Sequence, residues 1–192
     1  MAPPFAFGPG SIALDDTDVY FSGGEGVLRS VAAAAPLLAP DGGGSFAQLA
    51  TLAKADAGEF WNDFDSPNVF VDDTTLYYAW GWGDVVGALP KVGEPDGGVA
   101  PVWAWNVGGA MRIVADPTDV YWTVRGPNTN DAGSALVYSE GSIMKCPKFG
   151  CGSSGPTVIA TGLDGLSGYL AVDANYVYFT QFADGTVRRI SK

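Results

Sequence analysis

Several short stretches of this chain set aromatic rings beside carboxylates and amides: "EFWNDFDSP" at 59–67, "WGWGD" at 80–84, "WAWN" at 103–106, "NTND" at 128–131 and "QFAD" at 181–184. Flat apolar faces next to oxygen acceptors and amide groups suit a sugar ring or a peptide side chain, and Trp and Tyr are favoured anchors of binding patches. The candidate ligand-binding residues are therefore Trp61, Asp63, Asp65, Trp80, Trp82, Asp84, Trp105, Asn128, Asn130, Asp131, Tyr138 and Phe182. The same residue types also serve structure, because Trp at a strand end fills wedges and Asp or Asn in a Gly-rich loop makes turns. Catalysis has less to work with. The chain has no histidine, which removes the usual general base, the usual zinc ligand and every Ser-His or Cys-His nucleophile. Calcium is the one cation with candidate donors, in "NDFD" at 62–65 and "NTND" at 128–131, but neither is followed by the distal glutamate of a full calcium loop. No other metal or cofactor is expected. "GGGS" at 42–45 lacks the Lys-Ser or Lys-Thr of a phosphate cradle and reads as a flexible turn.

The elements that hold these stretches come from a repeat. "LDDTDVYFS" at 14–22 returns as "VDDTTLYYA" at 71–79, "ADPTDVYWT" at 115–123 and "VDANYVYFT" at 172–180. The leading aspartates, Asp15, Asp72, Asp116 and Asp173, stand 57, 44 and 57 residues apart, a period of propeller blades or helical arrays. Each aspartate is preceded by a short apolar run and followed by a tight turn and a β-branched, aromatic run, which reads as two strands. The aspartates are assigned to the turns, where the carboxylate accepts the amide two residues on. Their equivalent positions hold them too far apart for acid/base work.

A third strand follows in every copy ("GVLRSV", "DVVGALP", "SIMKCP", "TVRRIS"), and a fourth in the first three ("FAQLATLA", "APVWAWNV", "PTVIATGL"). Four short strands per repeat describe one blade of a β-propeller. The expected fold is all-β: a single propeller domain over 1–192 built from four four-stranded blades, at approximately 11–53, 68–107, 112–163 and 169–192. The last repeat lacks its outer strand, and residues 3–7 ("PPFAF") are expected to supply it and close the ring. The alternative is part of a larger propeller. In a propeller the loops from second to third strand, and from fourth strand to the next blade, leave on one face. The candidate ligand residues gather in those loops.

The stretches "IALDDTDVYFS", "IVADPTDVYWT" and "LAVDANYVYFT", with "GSIMKCPKFGCG" and "GTVRRISK", resemble the "VYW" repeats of bacterial secreted propeller proteins, relatives of the NHL and YWTD propellers. That resemblance covers almost the whole chain and implies an exported protein, extracellular or in the cell envelope. The chain departs from the pattern in having four copies where six or more blades are common.

Bulk properties narrow the partners. Twenty-one acidic against 10 basic residues give a net charge of −11, a surface that repels phosphate backbones and anionic lipid, so no nucleic acid and no membrane insertion are expected. No apolar run is long enough to span a bilayer, and "MAPPFAFGPG" lacks the basic and apolar regions of a secretory signal. Cys146 and Cys151 flank "PKFG"; a disulfide, two free thiols and half of a metal site are the three readings of that pair. The functional expectation is a non-catalytic propeller that binds a glycan, peptide or protein through its aromatic loop face. The alternatives are a calcium-dependent propeller hydrolase or lactonase, and a structural repeat module that forms homo-oligomers through its blade edges.

Overall fold

The computed structural model describes residues 9–23, 27–32, 47–51, 67–81, 84–105, 108–126, 140–164, 169–181 and 183–192. All regular structure among them is β-strand apart from two short 3-10 turns. The first blade is β1 (Pro9–Leu14), β2 (Asp18–Gly23), β3 (Val27–Ala32) and β4 (Ala47–Thr51). The second is β5 (Asn68–Val71), β6 (Thr75–Trp80), β7 (Val85–Pro90) and β8 (Val102–Trp105). The third is β9 (Ala110–Ala115), β10 (Asp119–Val124), β11 (Gly141–Pro147) and β12 (Thr157–Leu163). The fourth has three described strands, β13 (Leu170–Val172), β14 (Tyr176–Gln181) and β15 (Thr186–Ser191). Every sheet is an antiparallel meander in chain order. This is the β-propeller architecture expected from the repeat. Residues 3–7, the expected outer strand of the fourth blade, lie outside the described residues.

Alternation along the second strand of each blade explains why the blades stack. Successive side chains point to opposite faces of a sheet. In β6, Leu76, Tyr78 and Trp80 enter a core shared with Tyr20, Leu28 and Leu49 of the first blade. Tyr77 and Ala79, pointing the other way, enter a core with Ile113, Val120 and Trp122 of the third. A last core joins Tyr121, Ile143 and Leu163 to Val177 and Phe179 of the fourth blade. Each core is one seam between two blades, so continuous apolar runs such as "TLYYAW" are buried on both faces. The inner strands pack in order, β1 on β5, β5 on β9 and β9 on β13. No comparable packing joins β13 back to β1 among the described residues.

Cys146 and Cys151 form a disulfide, which settles the three readings of that pair. Both cysteines are buried in the seam between the second and third blades, in the core that Trp103 also packs against. The bond closes the turn that carries Lys148.

Two predictions follow from the seams. Ile143→Ala, which empties a fully buried site, is expected to cost about 2–5 kcal/mol in urea unfolding. Gly87→Ala is expected to destabilise as well, because a methyl there points into the Pro101 carbonyl and the Tyr78 hydroxyl, which hydrogen-bond each other at 2.6 Å. For the disulfide, Cys146→Ala/Cys151→Ala should lower unfolding free energy by about 2 kcal/mol, the chain-entropy value for so short a loop; an unchanged urea midpoint would count against it.

Candidate functional site

The face formed by the turns between first and second strands is built from one unit used repeatedly. Asp15 Oδ1 accepts the Thr17 and Asp18 amides, both at 2.8 Å. Asp72 does the same for Thr74 and Thr75 (3.0 and 2.9 Å), Asp116 for Thr118 and Asp119 (2.8 and 2.7 Å), and Asp173 for Asn175 and Tyr176 (2.8 Å each). Asp is suited to this position because its short carboxylate folds back onto the next amides. The second oxygen of each accepts a tyrosine hydroxyl five residues on: Tyr20 at 3.1 Å, Tyr77 at 2.9 Å, Tyr121 at 3.0 Å and Tyr178 at 2.8 Å. The conserved spacing within the nonamer thus has a direct geometric cause. The tyrosine is two residues into the second strand, on the face that looks toward the next blade.

The next blade replies with a lysine. Lys91 pairs with Asp15, Lys148 with Asp72 at 2.6 Å and Lys192 with Asp116 at 2.5 Å, each lysine 76 residues after its aspartate. The ammonium also lies over the ring of the same unit's tyrosine: Lys91 is 5.9 Å from the Tyr20 centroid, Lys148 5.7 Å from Tyr77 and Lys192 5.7 Å from Tyr121. Each lysine is aimed by its own blade, its amide donating to the carbonyl of Thr74 (3.1 Å), Thr118 (3.0 Å) or Asn175 (3.3 Å). The result is an Asp–Tyr–Lys latch across every described seam. These carboxylates already hold several donors each, so they are structural anchors rather than acids or bases.

The electrostatics agree. Asp15 is held well below the usual carboxylate range, first by Lys91 and then by the Thr17 and Asp18 amides. At Asp72 burial pulls upward, but Lys148, the two amides and Tyr77 together bring the group down to about 2. Asp116 is lowered in the same way, Lys192 leading the groups that outweigh its burial. Burial, then the Asp15 carboxylate, pushes the Tyr20 phenol up to about 12, which keeps it a donor.

The opposite face carries the described turns that lead from second to third strands and into the next blade. Asp84, at φ 52, ends the β6–β7 turn and accepts the Gly109 amide at 3.0 Å. Glu140, at φ 57, ends the β10–β11 connection and donates its amide to Asp164 at 3.2 Å. In both cases a loop between second and third strands is tied to the loop that enters the next blade, which puts the two kinds of loop together. Gly109 sits at φ 87 with Arg125 so close that a β-carbon would meet its guanidinium stem. At the start of the inner strands, one register position per blade runs round the axis: Ser11, Asn68, Arg112 and Tyr169. Ser11 Oγ accepts Asn68 Nδ2 at 3.0 Å and the Val69 amide at 3.1 Å; Asn68 Oδ1 accepts the Ile113 amide at 3.0 Å. The Arg112 guanidinium stacks 5.3 Å from the ring of Tyr169, which is 75% exposed. The Nε of Arg112 and the Oε1 of Gln181, which ends β14, are buried without a hydrogen-bond partner among the described residues.

Of the ligand residues expected from the sequence, Asp84 is half-buried at this face. Trp80 is 3% exposed and packs in the seam between the first two blades, the wedge-filling alternative for a strand-end Trp. Trp105 ends β8. Trp61, Asp63, Asp65, Trp82, Asn128, Asn130, Asp131, Tyr138 and Phe182 lie outside the described residues, as do both calcium candidates. Among the described residues no three His, Cys, Asp or Glu side chains converge as metal ligands. No helix among them is long and apolar enough to cross a membrane. Sequence reasoning missed the three latch lysines and the Ser11–Asn68–Arg112–Tyr169 ring. A signal for the former was present, since "LPK", "CPK" and "ISK" all put lysine one residue after the third strand.

No protein-family model matches this chain, and no curated protein does. Among solved structures it is similar to the computationally designed Ika4 protein, at 10% identity and a TM-score of 0.58 over all of this chain and 95% of the other. It is also similar to a chain of the nidogen/laminin complex, at 15% identity and a TM-score of 0.51, covering 95% of this chain and 75% of that one. At such identities the likeness speaks for the fold alone.

The latch makes stability depend on pH in a defined direction. Its aspartates have lower pKa values folded than unfolded, so their contribution is complete above the unfolded value near 4 and is lost as pH falls toward 2. Unfolding free energy should be flat from about pH 5 to 8 and fall steeply between about pH 4 and 2. Tyr20 acts in the other sense, losing its contribution as pH rises from about 10 toward 12. Urea titrations across that range check both limbs, and a flat acid limb would contradict the latch assignment.

Proposed function

We propose that the chain is a non-catalytic propeller that binds a glycan or a peptide segment of a protein partner at the loop face, over the start of the inner strands. The observation that carries this reading is the Arg112–Tyr169 pair: an exposed aromatic ring backed by a guanidinium, on the face where the loops of neighbouring blades are tied together. A planar ring beside polar donors and acceptors is what sugar and peptide recognition need. The unpartnered Arg112 Nε and Gln181 Oε1 add a donor and an acceptor near the same face. On the strand order read from the sequence, we assign the stretches around Trp61, Trp82, Asn128, Asn130, Asp131, Tyr138 and Phe182 to the same proposed surface, together with Asp63, Asp65, Asp84 and Trp105.

The disulfide supports an oxidising compartment, extracellular or in a cell envelope, because such bonds persist there and are rare in reducing cytosol. The likeness to bacterial VYW-repeat proteins belongs to this proposal in the same way. The net charge of −11 favours neutral or cationic partners.

A glycan array and a peptide library screened with the purified chain test the reading. Binding is expected, weakened at least tenfold by Tyr169→Ala, Trp61→Ala or Trp82→Ala, with the melting temperature held. Binding that all three substitutions leave unchanged places the ligand elsewhere and refutes the proposed face.

A further inference from the structure

Every internal seam has two halves. One is the trailing side of a blade, with a third-strand residue, the latch tyrosine and the latch aspartate. The other is the leading side of the following blade, with inner-strand residues and a lysine. Both halves recur in the first and fourth blades, where their apolar side chains are exposed and no described residue forms a seam with them. Leu28, Val86 and Ile143 occupy one register position on the trailing side of the first three blades and are 0% exposed; Val187, at the same position in the fourth, is 73% exposed. On the leading side, Val69 and Ile113 are 6% and 2% exposed, whereas their counterpart Ile12 is 66% exposed and Leu14 beside it 70%.

The latch is half-built at the same place. Asp173 makes its two turn bonds and accepts the Tyr178 hydroxyl, but no lysine among the described residues forms an ion pair with it. Lys91, Lys148 and Lys192 directly follow the third-strand residues Pro90, Pro147 and Ser191; in the first blade the equivalent strand residue is Ala32, and the residue after it is Ala33.

We propose that the trailing face of the fourth blade, formed by Val187, Tyr178 and Asp173, docks the first blade of a second copy of this chain, which presents Ile12 and Leu14. The two faces are the complementary halves of a joint that the chain builds three times within itself, so one head-to-tail contact covers both. The contact is heterologous: two or more copies continue the array, and it closes if the rotation allows. Because position 33 is alanine, the junction has the apolar half of a seam without its ammonium. It is therefore weaker than the internal seams and depends on concentration. This inference concerns the blade ends and is independent of the loop-face ligand, so a negative binding screen does not touch it.

Sedimentation equilibrium of the full chain from about 1 to 500 μM tests it. The expected mass rises above that of the 19.9 kDa monomer with concentration. Val187→Glu and Leu14→Glu, both at exposed sites, should each return it to the monomer while the circular-dichroism melt stays in place. Ala33→Lys should tighten association by roughly fivefold, as an added ion pair does, and that gain should vanish when Asp173→Asn is combined with it. A monomer at every concentration overturns the proposal, and so does association indifferent to the two glutamate substitutions or to Ala33→Lys.

Discussion

The architecture depends on how one blade is fastened to the next, and the fastening centres on a lysine ammonium held between a carboxylate and a tyrosine ring. Apolar seams alone bring blades together but leave their relative rotation soft, because hydrophobic contact is non-directional. The latch adds direction. The aspartate is fixed by two amides of its own turn, the tyrosine hydroxyl by that aspartate, and the lysine by a backbone bond to its own blade. Charge-assisted hydrogen bonds of this kind are shorter and stronger than neutral ones, and here both partners are largely screened from water. In a chain with only 10 basic residues, three are committed to this task.

The disulfide takes part in the same arrangement. Lys148 sits inside the loop that Cys146 and Cys151 close, so the covalent link limits the conformations of the turn that delivers it. Lys91 is delivered without such a link, through a turn in which Gly93 donates to Pro90 at 2.8 Å and Glu94 to Leu49 of the first blade at 2.8 Å. Two sequences thus reach one geometry, one by a covalent bond and the other by backbone bonds to its neighbour.

The nonamer was a legible unit because its parts are local. Asp15, Thr17 and Tyr20 act on one another within five residues, so the pattern that folds the hairpin is also the pattern that repeats in sequence. The latch lysines recur in the sequence after the third strand, but what they bind was not legible. Each acts on an aspartate 76 residues away, and a lone lysine after a strand looks like an ordinary solvated charge. The ring at the start of the inner strands was hidden for another reason: Ser11, Asn68, Arg112 and Tyr169 share a register position but no chemistry, so no repeat exposes them. Trp80 illustrates a third limit. Its position at the end of a strand is equally suited to an open loop face and to a seam, and only the packing of the first blade against the second decides for the seam. Most of the ligand residues expected between Trp61 and Phe182 lie outside the described residues, and their composition suggests a binding surface without specifying its shape.

The claim that the latch couples adjacent blades is tested most directly by a double-mutant cycle on Asp72→Asn and Lys148→Met, read by urea unfolding at low salt. Asparagine keeps the acceptor for the Thr74 and Thr75 amides, so the cycle isolates the ion pair across the seam. The account predicts a coupling of about 1–2 kcal/mol, above that of an exposed surface pair. Effects that add to within about 0.3 kcal/mol would show the two side chains to be energetically independent and would contradict it.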